Sequence, residues 1–118
     1  MHGIPKDLPI ERFVGDFLFS VAITAGGLHF HFNRAGTISV EGHWELKDSS
    51  GQLIDRNLDH GSRDAYRVHV VLNEDVVRSR LEAPCSLTLI FESGHELTIY
   101  DDLPARESFH IYPDEIHV

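Results

Sequence analysis

Nine histidines in 118 residues are the first place to look for chemistry. His29 and His31 stand two apart in Leu28-His-Phe-His-Phe32. On a strand that spacing sends both imidazoles to the same face. Neutral imidazole ligates Zn²⁺, Ni²⁺ or Fe²⁺, and a third ligand from a neighbouring strand would complete such a divalent-metal site. His95, in a polar turn between two apolar runs, is the candidate third ligand. The plainer alternative makes His29 and His31 the solvent-side residues of a half-buried strand, with no cofactor at all.

Other chemistries find less support. Cys85 is the only cysteine, follows Pro84, and has no base beside it in the sequence, so it reads as a small buried apolar residue. No Gly-x-Ser-x-Gly elbow is present, and no glycine-rich loop opens a helix to cradle phosphate. The pairs Asp101-Asp102 and Asp114-Glu115 are adjacent in loops, which suits cationic side chains better than proton sharing. Tyr100 alternates with Leu97 and Ile99, and Tyr112 with Phe109 and Ile111. Tyr100, Asp101, Asp102, Glu107 and Tyr112 therefore make a candidate aromatic and acidic surface for a basic protein partner. No catalytic residue is assigned.

The elements that must hold these residues are mostly strands. In Leu87–Tyr100, Leu87, Leu89 and Phe91 alternate with polar or outward positions. Leu97 and Ile99 do the same after Glu92-Ser93-Gly94-His95, which marks an antiparallel hairpin. Leu28–Phe32, Asn33–Gly36 and Ile38–Val40 repeat that design. Aligning Phe32 with Phe91 brings Leu28 onto Leu87, Phe30 onto Leu89, Ile38 onto Leu97 and Val40 onto Ile99. Either a duplication or the common period of hairpins accounts for the match.

Taken in order, residues 1–12 read as an extended lead-in and 13–48 as a first β-meander. In that meander Phe17, Phe19, Val21 and Ile23 alternate. Residues 49–61 form polar turns and loops. Ser62 can cap a helix over 62–73, with Asp64 in its first turn and Ala65, Val68 and Leu72 on one face. Alternating Val68, Val70 and Leu72 leave a strand reading of 66–72 open. Residues 75–112 form a second β-meander, ending in the strand Ser108–Tyr112, and 113–118 are a tail. The expected fold is a single α+β domain: mostly antiparallel sheet in two meander halves, open to closing as a barrel, with one central α-helix.

A chain of this length and an apolar fraction of 42% suits one globular domain. The formal charge of −9 repels nucleic acid and anionic membranes and favours a basic partner. No apolar run nears the roughly 20 residues that span a bilayer. No secretory signal is visible and no disulfide can form within the chain, so the cytoplasm is the expected location. An edge strand such as Ser108–Tyr112 could also pair with a second copy in a homodimer.

Val76–Ile111 resembles a pattern in small uncharacterised bacterial β-rich domains, some of them immunity-protein-like. The shared features are Leu87-Thr-Leu-Ile-Phe91, Gly94, Leu97-Thr-Ile99, Asp101-Asp102 and Glu107-Ser108-Phe109. The resemblance implies a non-enzymatic protein that neutralises a toxin by binding it, and it carries over no catalytic residue. His29-Phe-His31 is also similar to the His-x-His of cupin metal sites. That likeness stops there, because the cupin glutamate would fall on Ala35 or Gly36 and the later Pro-x-Gly and histidine motif is absent.

Overall fold

The computed structural model describes residues 10–25, 27–57, 66–82, 86–101, 109–112 and 116–117. Among them ten strands carry the chain: β1 (Leu18–Thr24), β2 (Gly27–Phe32), β3 (Thr37–Val40), β4 (Trp44–Lys47), β5 (Leu53–Arg56), β6 (Val76–Glu82), β7 (Ser86–Phe91), β8 (Glu96–Tyr100), β9 (Phe109–Tyr112) and β10 (Ile116–His117). They build two five-stranded antiparallel sheets, ordered β1-β2-β3-β9-β10 and β5-β4-β8-β7-β6. The alternating apolar residues of both sheets meet in one core. Leu28, Phe30 and Ile38 come from the first sheet, and Leu46, Leu89 and Leu97 from the second. Across the layers Phe30 meets Trp44 edge-on with ring centroids 6.1 Å apart, a favourable aromatic geometry. The result is a two-layer β-sandwich.

The expected central α-helix over 62–73 is corrected. Residues 62–65 lie outside the described part, and Val68–Val71 form a single 3₁₀ turn. Among the described residues there is no α-helix, and the described chain is all antiparallel β rather than α+β. Three causes act on this turn. Val68, Val70 and Val71 are β-branched and lose side-chain freedom in a helix. The Asp55 carboxylate accepts the N–H groups of Arg67 (2.6 Å) and Val68 (3.0 Å), fixing the start of the turn. Leu72 then turns extended (φ −61°, ψ 138°), which ends it, and Asn73 follows at φ 67°. Val68 and Val71, three apart, both face the core, as a 3₁₀ repeat allows.

Other differences are smaller. Ile10–Phe13, expected as the end of the extended lead-in and the start of the first meander, is also a 3₁₀ turn with Ile10 and Phe13 buried. Asp48-Ser-Ser-Gly51 is a turn, as expected, but it closes a β4–β5 hairpin. The Asp48 N–H donates to the Gln52 carbonyl (2.9 Å), and the Asp48 side chain accepts from Ser50 and Gln52. Phe17, Phe19, Val21 and Ile23 do not share one buried face. A β-bulge between Leu18 and Ser20 turns Leu18 inward and leaves Phe19 67% exposed. Cys85 lies outside the described residues.

The two halves are related by a pseudo-two-fold axis. Three-stranded meanders β1-β2-β3 and β6-β7-β8 occupy different sheets, and each is extended by a hairpin from the other half. β9-β10 adds to β3, and β4-β5 adds to β8. The correspondence reaches details. A 3₁₀ turn precedes each meander, with Ile10 and Phe13 matching Val68 and Val71. Left-handed Gly15 (φ 90°) matches left-handed Asn73 (φ 67°). The bulge at Leu18–Ser20 matches one at Val76–Arg78. Reciprocal hydrogen bonds cross the axis: Gly15 N–H to Val76 O (2.7 Å) and Asn73 N–H to Leu18 O (2.8 Å). Phe17 and Asp75 pair between them.

Carboxylates clamp the loops of this scaffold. Asp16 is buried and accepts the N–H groups of Arg34 (2.7 Å), Ala35 (2.7 Å) and Phe17 (3.0 Å). Its pseudo-symmetric counterpart Glu74 accepts the N–H of Ser93 (3.2 Å). Burial pushes the Asp16 carboxyl up, but the Arg34, Ala35 and Phe17 N–H groups and the Arg34 charge outweigh it and hold the pKa below 3.8. The ionised form thus stabilises the fold above about pH 4, and this contribution is lost as pH falls through the lowered folded pKa. Asp16→Asn should cost about 1–3 kcal/mol at neutral pH, since an amide has one acceptor oxygen and puts an NH₂ donor where the second must accept. It should also flatten the loss of stability below about pH 4, which urea melts across pH would measure.

Gly15 supplies a second test. A Cβ there meets nothing within 4 Å, so only backbone conformation opposes a side chain. Gly15→Ala should cost about 1–2 kcal/mol. Asn73→Gly, at the matching position, should change stability by less, as read from the same melts.

Candidate functional site

Among the predicted residues, Tyr100 has the most fully defined surroundings. In β4, Trp44 and Leu46 are buried and Glu45 and Lys47 face outward, and β8 alternates the same way with Leu97 and Ile99 inward. The β4–β8 register pairs Trp44 with Ile99 and Glu45 with Thr98. One step beyond, the Tyr100 N–H donates to the His43 carbonyl (2.9 Å). This seats the His43 and Tyr100 rings in a near-parallel stack, centroids 4.3 Å apart and planes at 17°. The Tyr100 hydroxyl donates to Glu45 Oε1 at 2.9 Å, and His43 Nε2 lies 3.5 Å from Glu45 Oε2. Both oxygens of one half-buried carboxylate are thus fixed beside an aromatic pair.

Such a cluster offers negative charge and π-surface together, which suits a lysine or arginine side chain. His43 and Glu45 are functional candidates that the sequence reading missed. Alternation does place Glu45 outward. The β4–β8 pairing that brings Tyr100 beside it joins residues far apart in the chain, and no local pattern encodes that.

The remaining predicted partner residues do not gather around Tyr100. Asp101 is buried, 5% exposed. Asp102 and Glu107 lie outside the described residues. Tyr112 belongs to β9 in the first sheet, whereas Tyr100 is in the second. The strand Ser108–Tyr112, expected as an edge for pairing with a second copy, is described as β9 over Phe109–Tyr112. It runs between β3 and β10, so its ladder is occupied on both sides. Among the described strands, the sheet edges are β1 and β10 in one layer and β5 and β6 in the other.

The histidines divide in the same way. His29 and His31 share the outward face of β2, with rings nearly parallel (13°) and centroids 6.2 Å apart. Each is tied to a hydroxyl on β3: His29 Nδ1 to Ser39 Oγ at 2.6 Å, and His31 Nδ1 to Thr37 Oγ1 at 2.9 Å. Parallel rings at this separation hold their nitrogens too far apart for one ion at about 2.1 Å from each. His95 sits in the β7–β8 turn of the other sheet, bonded to Ser93 Oγ at 2.6 Å. The structure therefore does not assemble His29, His31 and His95 into one site. Among the described side chains, no group of three His, Cys, Asp or Glu is placed to hold a metal.

No family model, curated protein or solved structure matches this chain. Among the described residues no helix is long and apolar enough to cross a membrane.

Tyr100→Phe should remove one charge-assisted hydrogen bond while keeping the ring stack. The expected cost is about 1 kcal/mol, checked by urea denaturation. A double-mutant cycle with Glu45→Gln should show the two changes to be coupled.

Proposed function

We propose that this chain is a non-enzymatic binding protein of a bacterial cytoplasm, of immunity type, that recognises a basic protein partner. The observation that carries this reading is the Tyr100–Glu45–His43 cluster on the outward face of the second sheet. A cationic side chain arriving there would meet an ordered carboxylate and an aromatic ring held in place before binding, so little ordering would remain to oppose association. Glu45 is only partly exposed, its side chain at 20%, and a charge contact there is screened less than one in open water.

The surplus of acidic residues supports the same reading. A formal charge of −9 accelerates encounter with a basic protein and disfavours nucleic acid. The cluster needs no cofactor to act in this way.

Affinity capture from the source bacterium would test the proposal with wild type and Glu45→Gln in parallel. The wild type should retain a basic protein at about 0.1 M salt and release most of it at about 0.5 M. Glu45→Gln should retain roughly tenfold less, the effect of about 1.4 kcal/mol. A gene beside this one that encodes a toxin would agree with the immunity reading. Capture of no basic protein, or equal capture by both forms, would overturn it.

A further inference from the structure

Among the described strands, β1 has β2 as its one neighbour and leaves its other side open. The start of that side is closed by the seam. There the Leu18 N–H donates to the Glu74 carbonyl (3.3 Å), and the Leu18 carbonyl accepts the Asn73 N–H (2.8 Å). The open stretch is therefore Ser20–Thr24. Backbone direction alternates along an antiparallel pair. In β2 the Phe32 N–H turns to Gly36 and the next, Asn33, to Phe17, so His29 and His31 bond toward β1. Their partners there are Ala22 and Ser20. Val21 and Ile23 thus turn their N–H and C=O groups to the open side. Val21 stands opposite Phe30 and Ile23 opposite Leu28, which puts both side chains on the core face, at its rim. Ile23 is 51% exposed there, so the rim is uncovered.

We infer that this edge binds a second copy of the chain, β1 against β1, antiparallel about a two-fold axis at Ala22. That axis sets Val21 opposite the partner's Ile23, and Ile23 opposite the partner's Val21. Each pair exchanges both backbone bonds, so every group that Val21 and Ile23 turn outward is used. An axis at Val21 would instead set the bulged Phe19, out of step with the ladder, opposite the partner's Ile23. With the axis at Ala22, β-branched side chains meet across the join and extend the core face of each molecule. On the outer face the two small Ala22 side chains meet, and Ser20 meets the partner's Thr24.

Charge selects the same strand and the same partner. Two chains of formal charge −9 repel each other, and they approach at least cost where neither presents a charge. Leu18–Thr24 carries none. Of the other edges, β6 carries Arg78, Arg80 and Glu82, β5 carries Asp55 and Arg56, and β10 has two residues. An uncharged edge offers a basic protein no charge contact, whereas a copy of the same strand matches it group for group. The Tyr100 cluster lies on the second sheet, so a dimer through β1 leaves it open. Salt separates the two contacts. It screens repulsion between copies and favours the dimer, but it weakens a contact between unlike charges.

Sedimentation equilibrium of the full chain should show monomer and dimer with a dissociation constant of about 0.1–1 mM, as suits a small contact. The dimer should be tighter at about 0.5 M salt than at about 0.1 M. Ile23→Glu should weaken it by about tenfold or more. Leu53→Glu, the same charge change on β5, should alter it by less than about twofold. Ile23 and Leu53 are both exposed, so both variants should fold. In a Cys85→Ser background, Ala22→Cys should give a disulfide-linked dimer on mild oxidation and Ser20→Cys should not. Only position 22 faces itself, with Cα atoms about 4.5 Å apart and within disulfide reach. A monomer at about 2 mM, a dimer that salt dissociates, equal weakening by Leu53→Glu, or equal linking through Ser20→Cys would overturn the inference. So would Val21 and Ile23 amides that gain hydrogen-exchange protection only when a different protein is added, which would give the edge to that protein.

Discussion

Neither half of this chain can complete a sheet alone. Each three-stranded meander buries one face and leaves the backbone of its third strand open, and the strand that fills the opening comes from the other half. β9 pairs with β3, from Thr37 opposite Tyr112 to Val40 opposite Phe109. β4 pairs with β8, from Trp44 opposite Ile99 to Lys47 opposite Glu96. Unpaired backbone groups beside a core are costly, so this exchange ties the stability of each sheet to both halves. The crossed hydrogen bonds at Gly15, Leu18, Asn73 and Val76 close the seam from the other side. Folding one half without the other would leave both an open edge and a bare apolar face.

The exchange also organises the surfaces. It brings Glu45 and His43, from the first half, beside Tyr100 of the second. The Tyr100 cluster thus straddles the halves, because the outward residues of an exchanged strand must sit beside those of its host. The acidic residues divide by role in the same structure. Asp16 and Asp55 are buried and accept backbone N–H groups, so they are used up in holding loops. Glu45 stands partly open, and only such carboxylates can meet a partner.

How much of this was legible in the sequence follows from range. The five matched apolar positions of the two hairpins were readable because a period of two is local, and in the structure they occupy equivalent places in the two sheets. The bulge at Leu18–Ser20 was not readable. It shifts the alternation by one residue within Phe17–Ile23 and shows only once β2 is beside it. β5 and β10 span four and two residues, too few for a periodic signal. The helix expected over 62–73 rested on a face that Val68 shares with Leu72, whereas the 3₁₀ turn buries Val68 and Val71 and leaves Leu72 exposed. The deciding contact, the Asp55 carboxylate on Arg67 and Val68, is long-range. For the site, Tyr100 was reachable from alternation, but its partners were not.

The matched bulges explain why two exposed apolar residues persist on sheet edges. Phe19 and Val77 occupy equivalent bulged positions on β1 and β6, and both are exposed, at 67% and 46%. A straight β1 or β6 would present an unbroken row of free backbone groups to another chain. A bulge breaks the row and adds twist, but it forces one side chain out of the inward sequence. On β6 the outward neighbours are charged: Arg80 bonds Glu82 at 2.9 Å and Glu96 at 3.1 Å, which adds protection to that edge. On β1 the equivalent stretch, Ser20–Thr24, carries no charge at all. Among the described residues no charged side chain of β1 guards that stretch, which makes β1 the less guarded edge of the pair.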